Sequence, residues 1–114
     1  ADSIAEWGAL SMDGKYSNVA AVVGATYPEI SKKLRKRLKS TYFLVPGYGA
    51  QGAGAEDLRY CFAEDGLGAI VNSSRGIIAA YKQEKYKSKF SEEEFDLAAK
   101  EAVKDMIKDI SSVL

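Results

Sequence analysis

Histidine is absent from the 114 residues, and cysteine occurs once, at Cys61. The first absence excludes every Ser-His-Asp or Cys-His nucleophile system; the second excludes an internal disulfide and any Cys-x-x-Cys redox or zinc motif. Net charge is lacking as well. Sixteen basic and sixteen acidic side chains cancel, so no global field draws the chain to nucleic acid or to an anionic membrane. Proline is confined to Pro28 and Pro46, and no low-complexity or Pro-rich linker appears. The apolar runs are strand-sized, and the opening ADSIAEWGAL carries acids where a signal peptide has a positive region. A soluble, cytoplasmic protein with no membrane partner is the expectation. The length suits one small core, so residues 1–114 are expected to form a single, partial domain.

What is present alternates. Three β-type runs, Val19 to Ala25 (VAAVVGA), Tyr42 to Val45 (YFLV) and Ala69 to Val71 with its flanks (GAIVN), are nearly continuous in apolar character. Such runs predict strands buried on both faces of a parallel sheet. Helical patterns lie between them. The first is predicted to open at Thr26 in a Thr26/Glu29 capping box, with an Ile30, Leu34, Leu38 stripe; the second covers roughly Ala55 to Ala63 and the third Arg75 to Tyr81. A long amphipathic helix is predicted from Ser91, capped by Ser91 and Glu94, with Phe95, Ala98, Ala102, Val103, Met106 and Ile110 on its apolar face. Ser3 to Leu10 reads as the end of an earlier helix, with Trp7 packed inward, and the polar stretch Tyr81 to Lys89 reads as an exposed connection. Strand starts recurring at about 25 residues match the βα unit of an eight-unit barrel of ~250 residues, of which about three units are present.

Four of the ten glycines fall in VPGYGAQGAG, Val45 to Gly54, directly after the second strand. Gly47, Gly49, Gly52 and Gly54 can take positive φ and turn N–H groups toward a ligand, with the Gln51 amide as a further donor. After the third strand comes Asn72-Ser73-Ser74-Arg75-Gly76, which places a guanidinium at the start of a helix, where it conflicts with the positive dipole end unless an anion is bound. If the strands are neighbours, the two loops together complement a phosphate dianion. Each loop also has a plain reading: a tight turn, and an arginine paired with a surface carboxylate.

The segments VVGATYPE (Val22 to Glu29), FLVPGYGAQG (Phe43 to Gly52) and VNSSRGIIAA (Val71 to Ala80) resemble the last three strand-loop segments of orotidine 5'-phosphate decarboxylase, in its bacterial second-class branch. The resemblance implies an α/β fold: the C-terminal portion, about three βα units, of a (β/α)8 TIM barrel. The complete enzyme of that family converts orotidine monophosphate to uridine monophosphate in pyrimidine synthesis without a cofactor. By position, Gln51 and Arg75 would hold the substrate 5'-phosphate, Gly49 and the Ser74 backbone N–H would assist, and Pro46 and Gly47 would border the pyrimidine. The family's Lys/Asp network includes a D-x-K-x-x-D motif that this sequence lacks. The lookalike KDMIKD (Lys104 to Asp109) is expected to face Met106 and Ile107 into the core. The resemblance therefore implies no catalytic residue and no metal in this chain, inactivity alone, and two partners: the N-terminal part of the barrel and, for the complete enzyme, a second subunit in a homodimer.

Two further readings stand beside this one. Another phosphate-binding barrel lyase or isomerase would share the same gripper, and a half-barrel could self-associate through its strand edges as a non-catalytic module. The basic run SKKLRKRLK (Ser31 to Lys39) is read as a solvated helix face instead of a nucleic-acid surface, and Cys61 as a small core residue.

Overall fold

The computed structural model describes residues 1–49 and 52–114. Helix α1 (Asp2–Ala9) leads into a hairpin of β1 (Met12–Asp13) and β2 (Tyr16–Ser17), which the strand patterns do not predict. The hairpin closes through Gly14, whose φ of 61° suits the first position of a two-residue loop matched to strand twist.

The sheet that follows is parallel, in the order β3 (Ala21–Val22), β4 (Phe43–Pro46), β5 (Ala69–Asn72). Its core face carries Val23, Phe43 and Val45, packed with Leu38, Leu58, Cys61 and Ile110. The other face departs from the expectation of burial on both sides. Val22, Leu44 and Ile70 are paired across the three strands and are 71%, 42% and 59% exposed. Helices cover one side only, so each strand buries alternate residues.

Helix α2 (Pro28–Arg37) opens later than the Thr26/Glu29 capping box requires. Tyr27 precedes a proline and is held at φ −121°, ψ 84°, outside the helical region, so Thr26 cannot cap; Tyr27 takes the cap position and Pro28 the first turn. Leu34 and Leu38 face inward as predicted, whereas Ile30 is exposed and Ser31 is buried, donating from Oγ to the Gly24 carbonyl at 3.3 Å. The second helix is shorter than predicted: α3 (Ala55–Leu58) tightens into a 3₁₀ turn, Arg59–Cys61. Three-residue spacing suits that turn and places both Leu58 and Cys61 fully inside.

After β5, α4 (Ser74–Ile78) passes through a 3₁₀ turn to α5 (Glu84–Lys87), then to the Ser91/Glu94 capping box, a 3₁₀ turn and α6 (Phe95–Ser111). The predicted cap forms, with Ser91 N–H donating to Glu94 Oε1 at 3.0 Å. The connection Tyr81 to Lys89 is not merely solvated. Tyr86 is buried with Ala80, Ala98 and Ala102, because its hydroxyl donates to Asp105 Oδ2 at 2.7 Å and so enters the core without losing its polar partner. Three apolar residues assigned to packing, Trp7, Phe95 and Ile107, are exposed. Among the described residues no helix is long and apolar enough to cross a membrane.

Candidate functional site

Strands β4 and β5 end level, since Pro46 pairs with Asn72 in the parallel ladder. The loops that leave them, one rich in glycine and one carrying Arg75, therefore emerge side by side from the C-terminal edge of the sheet. Gly47, Gly49 and Gly52 have φ of 101°, 77° and 86°, a region that residues with a Cβ rarely adopt. The loop curls back on itself, with the Gly49 N–H donating to the Ala53 carbonyl at 2.9 Å and the Gly52 N–H to the Gly49 carbonyl at 3.0 Å.

Where the loops meet, a cavity of about 120 Å³ is lined by Pro46, Gly47, Tyr48, Asn72, Ser73, Ser74 and Arg75. Four of the six residues singled out from the sequence, Pro46, Gly47, Ser74 and Arg75, thus come together. Gln51 lies outside the described residues. Gly49 is not in this lining; it borders a larger cavity of about 720 Å³ toward α6, and its N–H is already engaged by Ala53. Arg75 borders both cavities, is exposed, and makes no ion pair among the described residues. The helix in which it is the second residue has only five residues, so the conflict with the helix dipole is smaller than the sequence reading assumes.

The two cavities differ in charge. The larger one sets Asp105 and Asp109 beside Lys85 and Arg75, whereas the lining of the smaller contains an amide, three hydroxyl-bearing residues and a guanidinium with no carboxylate. An oxyanion meets no opposing carboxylate in the smaller cavity, whereas in the larger one Asp105 and Asp109 offset Lys85 and Arg75.

Tyr48, Asn72 and Ser73 also line the smaller cavity and were not singled out in advance. Ser73 Oγ donates to the Tyr48 carbonyl at 3.1 Å, and the Tyr48 hydroxyl donates to Asp109 Oδ2 at 2.5 Å. Burial, with the Asp109 hydrogen bond second, pushes the Tyr48 phenol up to about 12, so it is a neutral donor throughout the physiological range. A large side chain alone among the loop glycines was the available signal.

The basic run on α2 splits. Lys32, Lys33, Lys36, Arg37 and Lys39 are exposed, as expected of a solvated face, but Arg35 turns inward between α2 and the sheet. The KDMIKD segment lies on α6 with Met106 half-buried and Ile107 60% exposed, so only the first of its apolar pair faces the core.

No family model matches the chain. Among curated proteins it is 51% identical to an orotidine 5'-phosphate decarboxylase from Caldicellulosiruptor bescii, over 72% of this chain and 27% of that protein. It is 46% identical to one from Petrotoga mobilis, over 85% of this chain and 32% of that protein. Among solved structures, Leishmania donovani UMP synthase superposes with a TM-score of 0.52 and 32% identity, covering 75% of this chain and 18% of that one. The chain thus spans about a third or less of the length of the curated relatives it matches. The solved neighbours are (β/α)8 barrels, and the parallel sheet with its intervening helices overlays part of them. In sequence and in fold, the chain belongs with the orotidine 5'-phosphate decarboxylase family, of whose barrel it holds about three βα units.

Proposed function

We propose that the chain is the C-terminal, phosphate-gripping part of an orotidine 5'-phosphate decarboxylase, and that the complete protein converts orotidine 5'-monophosphate to uridine 5'-monophosphate and carbon dioxide. The observation that carries this is the carboxylate-free cavity between the ends of β4 and β5, bordered by Pro46, Gly47, Ser74 and Arg75. Arg75 supplies a guanidinium suited to two phosphate oxygens, and the turn of residues 72–75 supplies hydroxyls and backbone N–H groups. Gln51, on the same glycine loop, is assigned the second side-chain contact by its motif. Pro46 and Gly47, at the mouth of the sheet, border the pyrimidine.

The division of labour follows from transition-state binding. Contacts to a phosphate far from the reacting carbon contribute by fixing the nucleotide and closing the pocket, while the charges that act on the leaving carboxylate come from elsewhere in the barrel. A chain holding the gripper without a D-x-K-x-x-D motif is expected to bind the nucleotide weakly and to leave the carboxylate intact.

Its partner is the rest of the barrel. An accessible surface of 7386 Å² exceeds the roughly 6,100 Å² of a compact monomer of this mass. The radius of gyration, 16.0 Å, exceeds the about 13 Å expected of a compact chain of this length. The exposed row of Val22, Leu44 and Ile70 and the open edges of β3 and β5 are surfaces that further strands would cover. The same row also supports the second reading, a half-barrel that pairs with its own copy. Sedimentation of the chain alone and with a polypeptide carrying the family's earlier strands separates the two. A heterodimer that consumes orotidine monophosphate supports the decarboxylase. A stable homodimer that neither exchanges with the added polypeptide nor binds uridine monophosphate overturns it.

A further inference from the structure

We infer that Tyr48 is a positioning residue, a strut with both ends fixed, which sets the glycine loop against the arginine turn. Its consequence for ligand binding rests on the phosphate reading above; its structural content does not.

The need for a strut comes from the loop's own composition. With glycine on either side of Tyr48 and at residue 52, the loop gains access to positive φ but also to many other conformations, and its ordering is entropically costly. Packing at Ala53 anchors the far end of the loop, but among the described residues Gly49 and Gly52 have nothing within 4 Å of where a Cβ would lie, so the glycines themselves are not restrained by packing. Tyr48, between Gly47 and Gly49, carries a large side chain, and it is held at two points. Its carbonyl accepts from Ser73 Oγ at 3.1 Å, which ties the glycine loop to the turn that bears Arg75. Its hydroxyl donates to Asp109 Oδ2 at 2.5 Å, which ties the same residue to α6.

The first tie is itself supported. Ser73 is 8% exposed, and its Oγ occupies the space where a Cβ on Gly76 would stand, so the absence of a side chain at Gly76 lets the hydroxyl turn toward Tyr48. Ser73 is the cap residue of α4 yet makes no capping hydrogen bond, because its hydroxyl is directed across to the neighbouring loop. The two loops are thereby held at one spacing, which is the dimension that decides whether a single oxyanion can meet both.

Amide exchange in the unliganded chain tests the strut directly, because the Gly49 and Gly52 N–H groups are hydrogen-bonded within the loop and report its opening. Tyr48→Phe keeps the ring and removes only the hydroxyl. It is expected to speed exchange at Gly49 and Gly52 tenfold or more, while the Phe43 amide, bonded to the Gly68 carbonyl in the sheet, is unchanged. Asp109→Ala is expected to match it, Asp109→Asn to restore part of the protection because an amide oxygen still accepts, and the Tyr48→Phe/Asp109→Ala pair to add nothing further. A uridine 5'-monophosphate titration forms the second arm, with affinity expected to fall in the order of loop opening. Unchanged exchange at Gly49 and Gly52 in Tyr48→Phe overturns the strut whatever the nucleotide does. Faster exchange in the variant, with no nucleotide uptake by the wild-type chain, upholds the strut and counts against the phosphate reading instead.

Discussion

The Arg35 guanidinium lies over the Phe43 ring, with its carbon 3.7 Å from the ring centroid. On its edges it donates to the carbonyls of Leu38, Thr41, Cys61 and Gly68 at 2.7–3.0 Å. One side chain thus joins the end of α2, the approach to β4, the turn after α3 and the approach to β5. Burial lowers its pKa from the usual arginine value, but the carbonyl dipoles and the aromatic face keep the charged form in place. Replacement by alanine leaves four carbonyls without this donor and is expected to cost roughly 3 kcal/mol. Arg35→Lys is expected to recover only a minority of that loss, because an ammonium cannot reach four diverging acceptors. Urea denaturation of the two variants measures both.

Arg75 is expected to matter for the ligand and little for the fold, since its side chain is exposed and has no ion pair among the described residues. In a protein that holds the whole barrel, Arg75→Ala should weaken transition-state binding by about 1.5–3 kcal/mol, the range for a charged hydrogen bond. Steady-state kinetics with orotidine monophosphate, alongside an unchanged melting temperature, is the check; unaltered kcat/KM rejects the assignment.

Gly76→Ala probes the clearance beneath Ser73. Alanine is the better helix former by somewhat under 1 kcal/mol, yet its methyl would collide with Ser73 Oγ. The expected net result is destabilisation by about 1–2 kcal/mol. Adding Ser73→Ala removes the obstruction, so the double variant should be more stable than Gly76→Ala alone. A double variant less stable than both singles contradicts the steric account.

Asp65 fastens the hairpin to the turn before β5, accepting from Lys15 Nζ at 2.6 Å and from the Tyr16 hydroxyl at 3.0 Å. The Lys15 hydrogen bond, then the Leu67 N–H, hold its carboxyl down to about 2. A depressed carboxylate stabilises the fold above its unfolded pKa near 4, and that contribution disappears as pH falls toward 2. Met12 and Ser17 amide signals should therefore shift between pH 4 and pH 2, and Asp65→Asn should abolish the step.

The exposed row across the sheet predicts association. Leu44→Ser together with Ile70→Ser should reduce concentration-dependent self-association of the isolated chain, at a stability cost below about 1 kcal/mol, because neither residue is in the packed core. Light scattering with a matched denaturation curve reads both quantities.

Much of the architecture was legible because it is local. The alternation of strand-like and helix-like runs, the inward Leu34 and Leu38, and the Ser91/Glu94 cap depend on neighbours within a few residues. The four cavity residues Pro46, Gly47, Ser74 and Arg75 could be paired in advance because strand register carries two loop starts to the same edge. The errors have equally specific causes. Tyr27 before Pro28 removed the Thr26 cap, and a hydrogen-bond partner on α6, Asp105, let Tyr86 pass from an exposed residue into the core. The both-faces burial of the sheet failed for Val22, Leu44 and Ile70 because apolar character says that a face wants cover, not that this chain supplies it.

The sequence by itself determined the alternation of strand and helix from the first parallel strand onward, the positive φ of Gly47, Gly49 and Gly52, and which chemistry is absent for want of histidine and paired cysteine. Only the tertiary structure decided that Tyr48 meets Asp109, 61 residues away, that Arg35 leaves its basic neighbours for Phe43, and that one sheet face stays open. The reason is physical: torsional preference and capping act within a turn or two of chain, whereas burial and hydrogen-bond satisfaction are settled by whichever distant group arrives.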